Sequence, residues 1–173
     1  MPDLTRILWR GDNAAVFVLL DGAATPGLLE RLYAPDGPEF VCLYRGELEP
    51  DIAEVAPYLA RLEKSEAFTD WLFSGWGQHW CSYLVVMPQF DLQQLRYHFR
   101  KLNRVYGPDA KPLLFRYYDP RVLRSFAPTC NALQLAELFG PVQRFLVEAA
   151  DPAICLELSV ANGELVSREL AVA

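Results

Sequence analysis

The run Ala15-Val16-Phe17-Val18-Leu19-Leu20 contains no polar side chain and is closed by Asp21-Gly22. A short, β-branched apolar run bounded by a turn signal reads as a buried strand. Thr25-Pro26 supplies an N-cap and a proline at the first helical position, predicting a short helix through Tyr33. A second β-rich run, Glu39 to Tyr44, ends at Gly46, so the chain opens as strand, helix, strand. That order points to an α/β protein.

The same reading continues along the chain. Ala56 to Leu62 predicts a third strand, with Pro57 at its start or on a sheet edge, and Ser65 predicts the cap of a helix from Glu66 to Phe73. Trp80 to Met87 predicts a strand stopped by Pro88. Asp91 and Gln94 stand in capping-box spacing at the head of a helix on which Leu92, Leu95, Phe99, Leu102 and Tyr106 recur at intervals of three and four. After the Gly107-Pro108-Asp109 turn come a strand over Lys111 to Tyr118, a short helix capped by Asp119 and another from Asn131 to Phe139. The tail from Val142 to Leu170 predicts two or three strands with an Asn162-Gly163 hairpin turn. With 173 residues and no repeat or long linker, the expectation is one α/β domain, a mixed β-sheet flanked by helices.

Chemistry has little to hold on to. The two histidines, His79 and His98, show no metal-binding spacing, and no nucleophile elbow or phosphate-binding glycine loop occurs; Gly75-Trp76-Gly77 follows a helix instead of opening one. Asp91 and Asp119 read as helix caps. The cysteines Cys42, Cys81, Cys130 and Cys155 lie far apart in apolar surroundings, which predicts free, buried thiols in a reducing compartment. No signal-peptide pattern stands at Met1 to Arg6, and no apolar stretch reaches the roughly 18 residues that a membrane span needs. The expectations are therefore no metal, no cofactor, no enzymatic activity, no membrane insertion and a cytoplasmic location.

Charge is the asymmetric feature. The chain carries −6, yet Gln93 to Arg124 holds eight basic residues against only Asp109 and Asp119, a segment of +6 that leaves −12 for the rest. Such a division signals either an acidic partner or an internal ion-pair network. Arg96, Arg100 and Arg104 fall at i, i+4 and i+8, one helical stripe beside the apolar face. The stripe reads equally as a solvated face whose arginine stems cover the core or as a recognition surface. Interleaved aromatics, including Tyr97, Tyr106 and Tyr117, also keep a nucleic-acid-binding module in play, with an unrecognised hydrolase as a further alternative.

Taken in order, several motifs resemble a known family. They are Phe68-Thr69-Asp70-Trp71-Leu72, Gly75-Trp76-Gly77, Leu95-Arg96-Tyr97-His98-Phe99-Arg100-Lys101, Leu114-Phe115-Arg116-Tyr117-Tyr118-Asp119-Pro120-Arg121-Val122-Leu123, Pro128-Thr129-Cys130 and Phe139-Gly140-Pro141. The set is similar to the type VI secretion effector chaperones, or adaptors, over about Ala15 to Glu148, and the Phe-Arg-Tyr-Tyr-Asp-Pro-Arg run is its most specific part. The resemblance implies a cytoplasmic, non-enzymatic protein that binds a toxic effector protein and helps load it onto the secretion spike, with no nucleic acid as partner. Many members carry an extra C-terminal helical lobe, which residues 1–173 lack, so a single adaptor domain is expected. Within the motifs, Arg96, Arg100 and Arg104 with Trp76 are the expected partner-binding residues. Arg116, Asp119, Arg121 and Trp71 are the expected structural ones.

Overall fold

The computed structural model describes residues 4–11 and 15–172. Seven strands form one sheet: β1 (Ala15–Asp21), β2 (Phe40–Cys42), β3 (Pro57–Leu62), β4 (Cys81–Val86), β7 (Val142–Glu148), β8 (Ile154–Ala161) and β9 (Glu164–Ala171). They stand in the order β2-β3-β1-β4-β7-β8-β9, and a separate hairpin pairs β5 (Arg104–Tyr106) with β6 (Pro112–Leu114). The helices are α1 (Leu4–Leu8), α2 (Leu28–Leu32), α3 (Pro50–Val55), α4 (Ala67–Ser74), α5 (Leu92–Leu102), α6 (Pro120–Phe126) and α7 (Ala132–Phe139). The α/β class holds. Among the described residues, however, every strand pairing is antiparallel, so the sheet is purely antiparallel and not mixed as expected. The strand-helix-strand opening does not place β1 beside β2, because β3 lies between them.

The apolar run of β1 is explained by burial on both faces of the sheet. Phe17 and Leu19 pack with Leu95 and Phe99 of α5, Leu123 of α6 and Leu135 and Leu138 of α7. Val16, Val18 and Leu20 pack on the other face with Leu4 and Leu8 of α1, Leu28 and Leu32 of α2, and Phe68 and Leu72 of α4. An antiparallel strand normally alternates apolar and polar side chains. Here helices cover both faces, so alternation disappears.

Several local expectations are corrected. Thr25 caps no helix: its hydroxyl donates to the carbonyls of Asp21 (2.8 Å) and Trp80 (3.2 Å), and α2 starts after Gly27, whose φ of 70° lies in the left-handed region. Ser65 also has a left-handed φ, of 60°, and α4 begins after Glu66 without a side-chain cap. Helix α5 stops at Leu102, so Tyr106 leaves the buried face and stands 73% exposed on β5. The strand expected over Lys111 to Tyr118 shrinks to Pro112–Leu114, and Tyr117 and Tyr118 are buried beyond its end.

The capping-box and hairpin-turn signals are realised as read. Asp91 and Gln94 close a reciprocal capping box, with Gln94 N–H donating to Asp91 Oδ1 at 2.8 Å and Asp91 N–H to Gln94 Oε1 at 2.9 Å. The tail forms three strands, and Asn162 (φ 53°) with Gly163 (φ 79°) makes the tight β8–β9 turn. All four cysteines are free, but only Cys81 and Cys155 are buried as expected, Cys42 and Cys130 being half-buried; burial pushes the Cys155 thiol up to about 12. Among the described residues no helix is long and apolar enough to cross a membrane, and no group of three His, Cys, Asp or Glu side chains could hold a metal ion.

Candidate partner-binding surface

Helix α5 turns Leu92, Leu95 and Phe99 into the core and leaves its basic flank facing away from the sheet. Arg100 reaches across to the end of β2, where Nη2 donates to the carbonyls of Tyr44 (2.6 Å) and Cys42 (3.1 Å). One turn earlier, Arg96 Nη1 donates to Gln93 Oε1 at 2.9 Å. The Lys101 ammonium sits 4.0 Å from the centre of the Tyr97 ring. Asn103 Nδ2 donates to the Leu43 carbonyl at 2.8 Å, a second tie between the helix end and the loop after β2.

These ties shape a groove of about 770 Å³ between α5, the loop 43–48 and the β5–β6 hairpin. Arg100, Lys101 and Arg104 line it from one side and Arg45 from the other, with Tyr44, Leu48, Tyr106 and Leu114 as apolar walls. A smaller recess of about 440 Å³ joins Arg45, Arg96, Tyr97 and Arg100. Arg104 therefore shares the groove with Arg100, although it projects from β5 and not from a continued helix. Burial and the neighbouring charges of Arg96 and Arg45 hold the Arg100 guanidinium below its ordinary pKa, with only Cys42 acting the other way. Arg45 was not legible in the sequence as part of this site. It lies in a loop 51 positions before Arg96 and carries no motif of its own.

Trp76 is elsewhere and is not a free anchor. Its indole Nε1–H donates to the Pro152 carbonyl at 2.7 Å, and its ring stacks on Tyr83 with centroids 6.3 Å apart. Gly75, just before it, has no room for a side chain, since a β-carbon there would lie 2.2 Å from the Trp80 ring. Trp71 contacts Phe68 and Trp80 and receives the Arg31 guanidinium over its ring at 5.4 Å.

A second charged cluster sits at one end of the central strands. Arg116 pairs with Asp21, which is completely buried at the end of β1, and lies 3.9 Å from Asp119. Asp119 caps α6 by accepting from the Arg121 backbone N–H (2.9 Å), and it also takes Nε (3.0 Å) and Nη2 (2.9 Å) of the Arg121 side chain. Burial pushes the Asp119 carboxyl up, but the Arg121 bonds and the Arg121 and Arg116 charges outweigh it and hold the group below its ordinary range. Nearby, Glu148 accepts the His79 backbone N–H at 3.0 Å, and Arg124 Nη1 donates to the Glu148 carbonyl at 2.8 Å. Burial raises the Glu148 pKa. Each carboxylate here already has donors from the chain, the arrangement of a brace between the α6 region and the sheet.

The profile of the family described as "Domain of unknown function (DUF4123)" matches residues 16–137, from β1 into α7. No curated protein and no solved structure matches the chain.

Proposed function

The chain belongs to the DUF4123 domain family, and on that premise we propose that it is an adaptor which binds a cognate type VI secretion effector in the cytoplasm and helps load it onto the secretion spike. One observation carries the binding part of this reading. Arg45, Arg100, Lys101 and Arg104 line one groove, Arg96 lines the recess that shares Arg45 and Arg100 with it, and none of the five is ion-paired to a carboxylate among the described residues. The motif order over Phe68 to Pro141 supports the secretion part, and the charge brace around Asp119 accounts for the most specific motif as scaffold.

Co-expression with the toxin and spike proteins encoded beside its gene tests the reading. A stable complex that co-purifies with the toxin, together with loss of toxin export when the adaptor is deleted, is the expected result. Absence of any such complex overturns it.

A further inference from the structure

We propose that the groove between α5, the loop 43–48 and the β5–β6 hairpin docks a short acidic segment of the partner protein, one that also carries a bulky apolar side chain. The proposal rests on the protein-binding reading above and adds the chemistry of the bound segment.

Charge comes first. Elsewhere Arg10, Arg61, Arg116, Arg121 and Arg144 each face a carboxylate within 4 Å. The groove arginines have none among the described residues, even though Glu47 stands on the loop that forms one wall and Glu49 just after it. Like charges crowded together repel, so this arrangement costs stability until anions arrive. Preorganisation comes second: the Arg100 head is held by two carbonyls, Arg96 by Gln93 and Lys101 by the Tyr97 ring. Cations already fixed lose little freedom on meeting a carboxylate.

The walls specify the rest. Tyr106 is 73% exposed and Leu114 59%, beside the partly buried Leu48. Exposed large apolar side chains grouped at a rim of charge mark a protein-contact surface. A nucleic acid fits less well. Its unbroken phosphate charge would extend past the groove onto a chain whose residues outside Gln93–Arg124 sum to −12, whereas a peptide confines its few carboxylates to the groove.

Fluorescence anisotropy with the full chain tests this using three labelled probes: a short peptide of alternating Glu and Leu with one Trp, the same peptide with Gln for every Glu, and single-stranded oligothymidine. The expected result is binding of the acidic peptide about tenfold tighter than its Gln counterpart, weakened by about tenfold in Arg45→Glu and again in Arg104→Glu. Neither side chain makes a hydrogen bond or ion pair among the described residues, so both variants should keep the wild-type circular dichroism. Leu114→Ser should weaken the acidic peptide without changing its preference over the Gln peptide. Equal affinity for the two peptides, unchanged binding in both arginine variants, or tighter binding of oligothymidine overturns the proposal. If the doubly substituted protein still captures the toxin at full affinity, the groove proposal falls and the adaptor reading stands. If the groove binds the acidic peptide but no toxin is captured, the adaptor reading falls and the groove stands.

Discussion

The imidazole of His98 fills the space in which a β-carbon on Gly140 would stand: such an atom would lie 2.3 Å from His98 Cε1. Gly140 closes α7 with φ 49° and ψ −116°, a conformation that L side chains avoid, and the His98 ring nitrogen Nε2 lies 3.2 Å from the Leu138 carbonyl. Two motifs, Tyr97-His98-Phe99 and Phe139-Gly140-Pro141, are therefore one packing unit that locks α5 against the end of α7. Gly140→Ala should lower stability by about 2 kcal/mol or more, from backbone strain and steric overlap together. Adding His98→Ala should recover the overlap part but not the strain part, so the pair is non-additive in a urea-denaturation double-mutant cycle.

Arg100 has two roles that substitutions can separate. Arg100→Leu removes both charge-assisted bonds to the Cys42 and Tyr44 carbonyls. It should cost about 1–3 kcal/mol in chemical denaturation. Arg96→Glu leaves those bonds in place and should change stability by less than about 1 kcal/mol. A stability loss in the second variant equal to that in the first would show that the brace is not specific to Arg100.

Trp76 acts through its N–H and its ring in different measure. Trp76→Phe keeps an aromatic face for Tyr83 but loses the bond to the Pro152 carbonyl, and should cost about 1 kcal/mol. Trp76→Ala removes the stack as well and should cost about 3 kcal/mol, read as a lower midpoint in thermal unfolding. Equal losses in the two variants would mean that the ring contributes nothing.

Acid should destabilise the fold in two stages. Burial depresses the pKa of both His98 and His79 below the ordinary 6.5; for His98 the Leu138 carbonyl opposes this in part, and for His79 the Arg124 and Arg121 charges add to it. A depressed value means that the fold prefers the neutral ring. The corresponding stability is present above 6.5 and is lost as pH falls through the folded values. Asp119 and Glu157 are also depressed, the latter because the Arg144 and Arg10 bonds overcome burial, so their contribution is lost at lower pH, beneath their ordinary 3.8 and 4.5. Glu148, raised by burial, has the opposite sign and softens the acid slope. Denaturation at a series of pH values should show stability falling as pH drops below the ordinary histidine value of 6.5. His98→Gln should have a shallower slope in that range; an unchanged slope assigns the loss to His79 alone.

What could be read from the residues depended on distance along the chain. The capping box at Asp91 and Gln94, the Asp119 cap and the Asn162-Gly163 turn each act within a few residues, and each forms as read. The failures have the same logic. Thr25 caps no helix because Gly27, in the left-handed region, delays the start of α2 to Leu28, and the Thr25 hydroxyl instead ties the end of β1 to the Trp80 carbonyl, 55 positions away. The strand expected through Tyr118 ends at Leu114, and Tyr117 instead meets a distant partner, its hydroxyl donating to the Phe99 carbonyl, 18 positions away, at 2.8 Å.

By itself the sequence determined that β1 is buried, that α5 is amphipathic with a basic flank, and that no familiar catalytic spacing is present. Only the tertiary structure decided which cations are neutralised and which stay open. Arg116 finds Asp21 across 95 positions, while Arg100 finds carbonyls and the company of Arg45. The physical reason is that helix periodicity and capping are interactions between near neighbours, written in the local order of residues. Long-range pairs such as Arg116 with Asp21 are set by the tertiary fold, which brings residues far apart in the chain together.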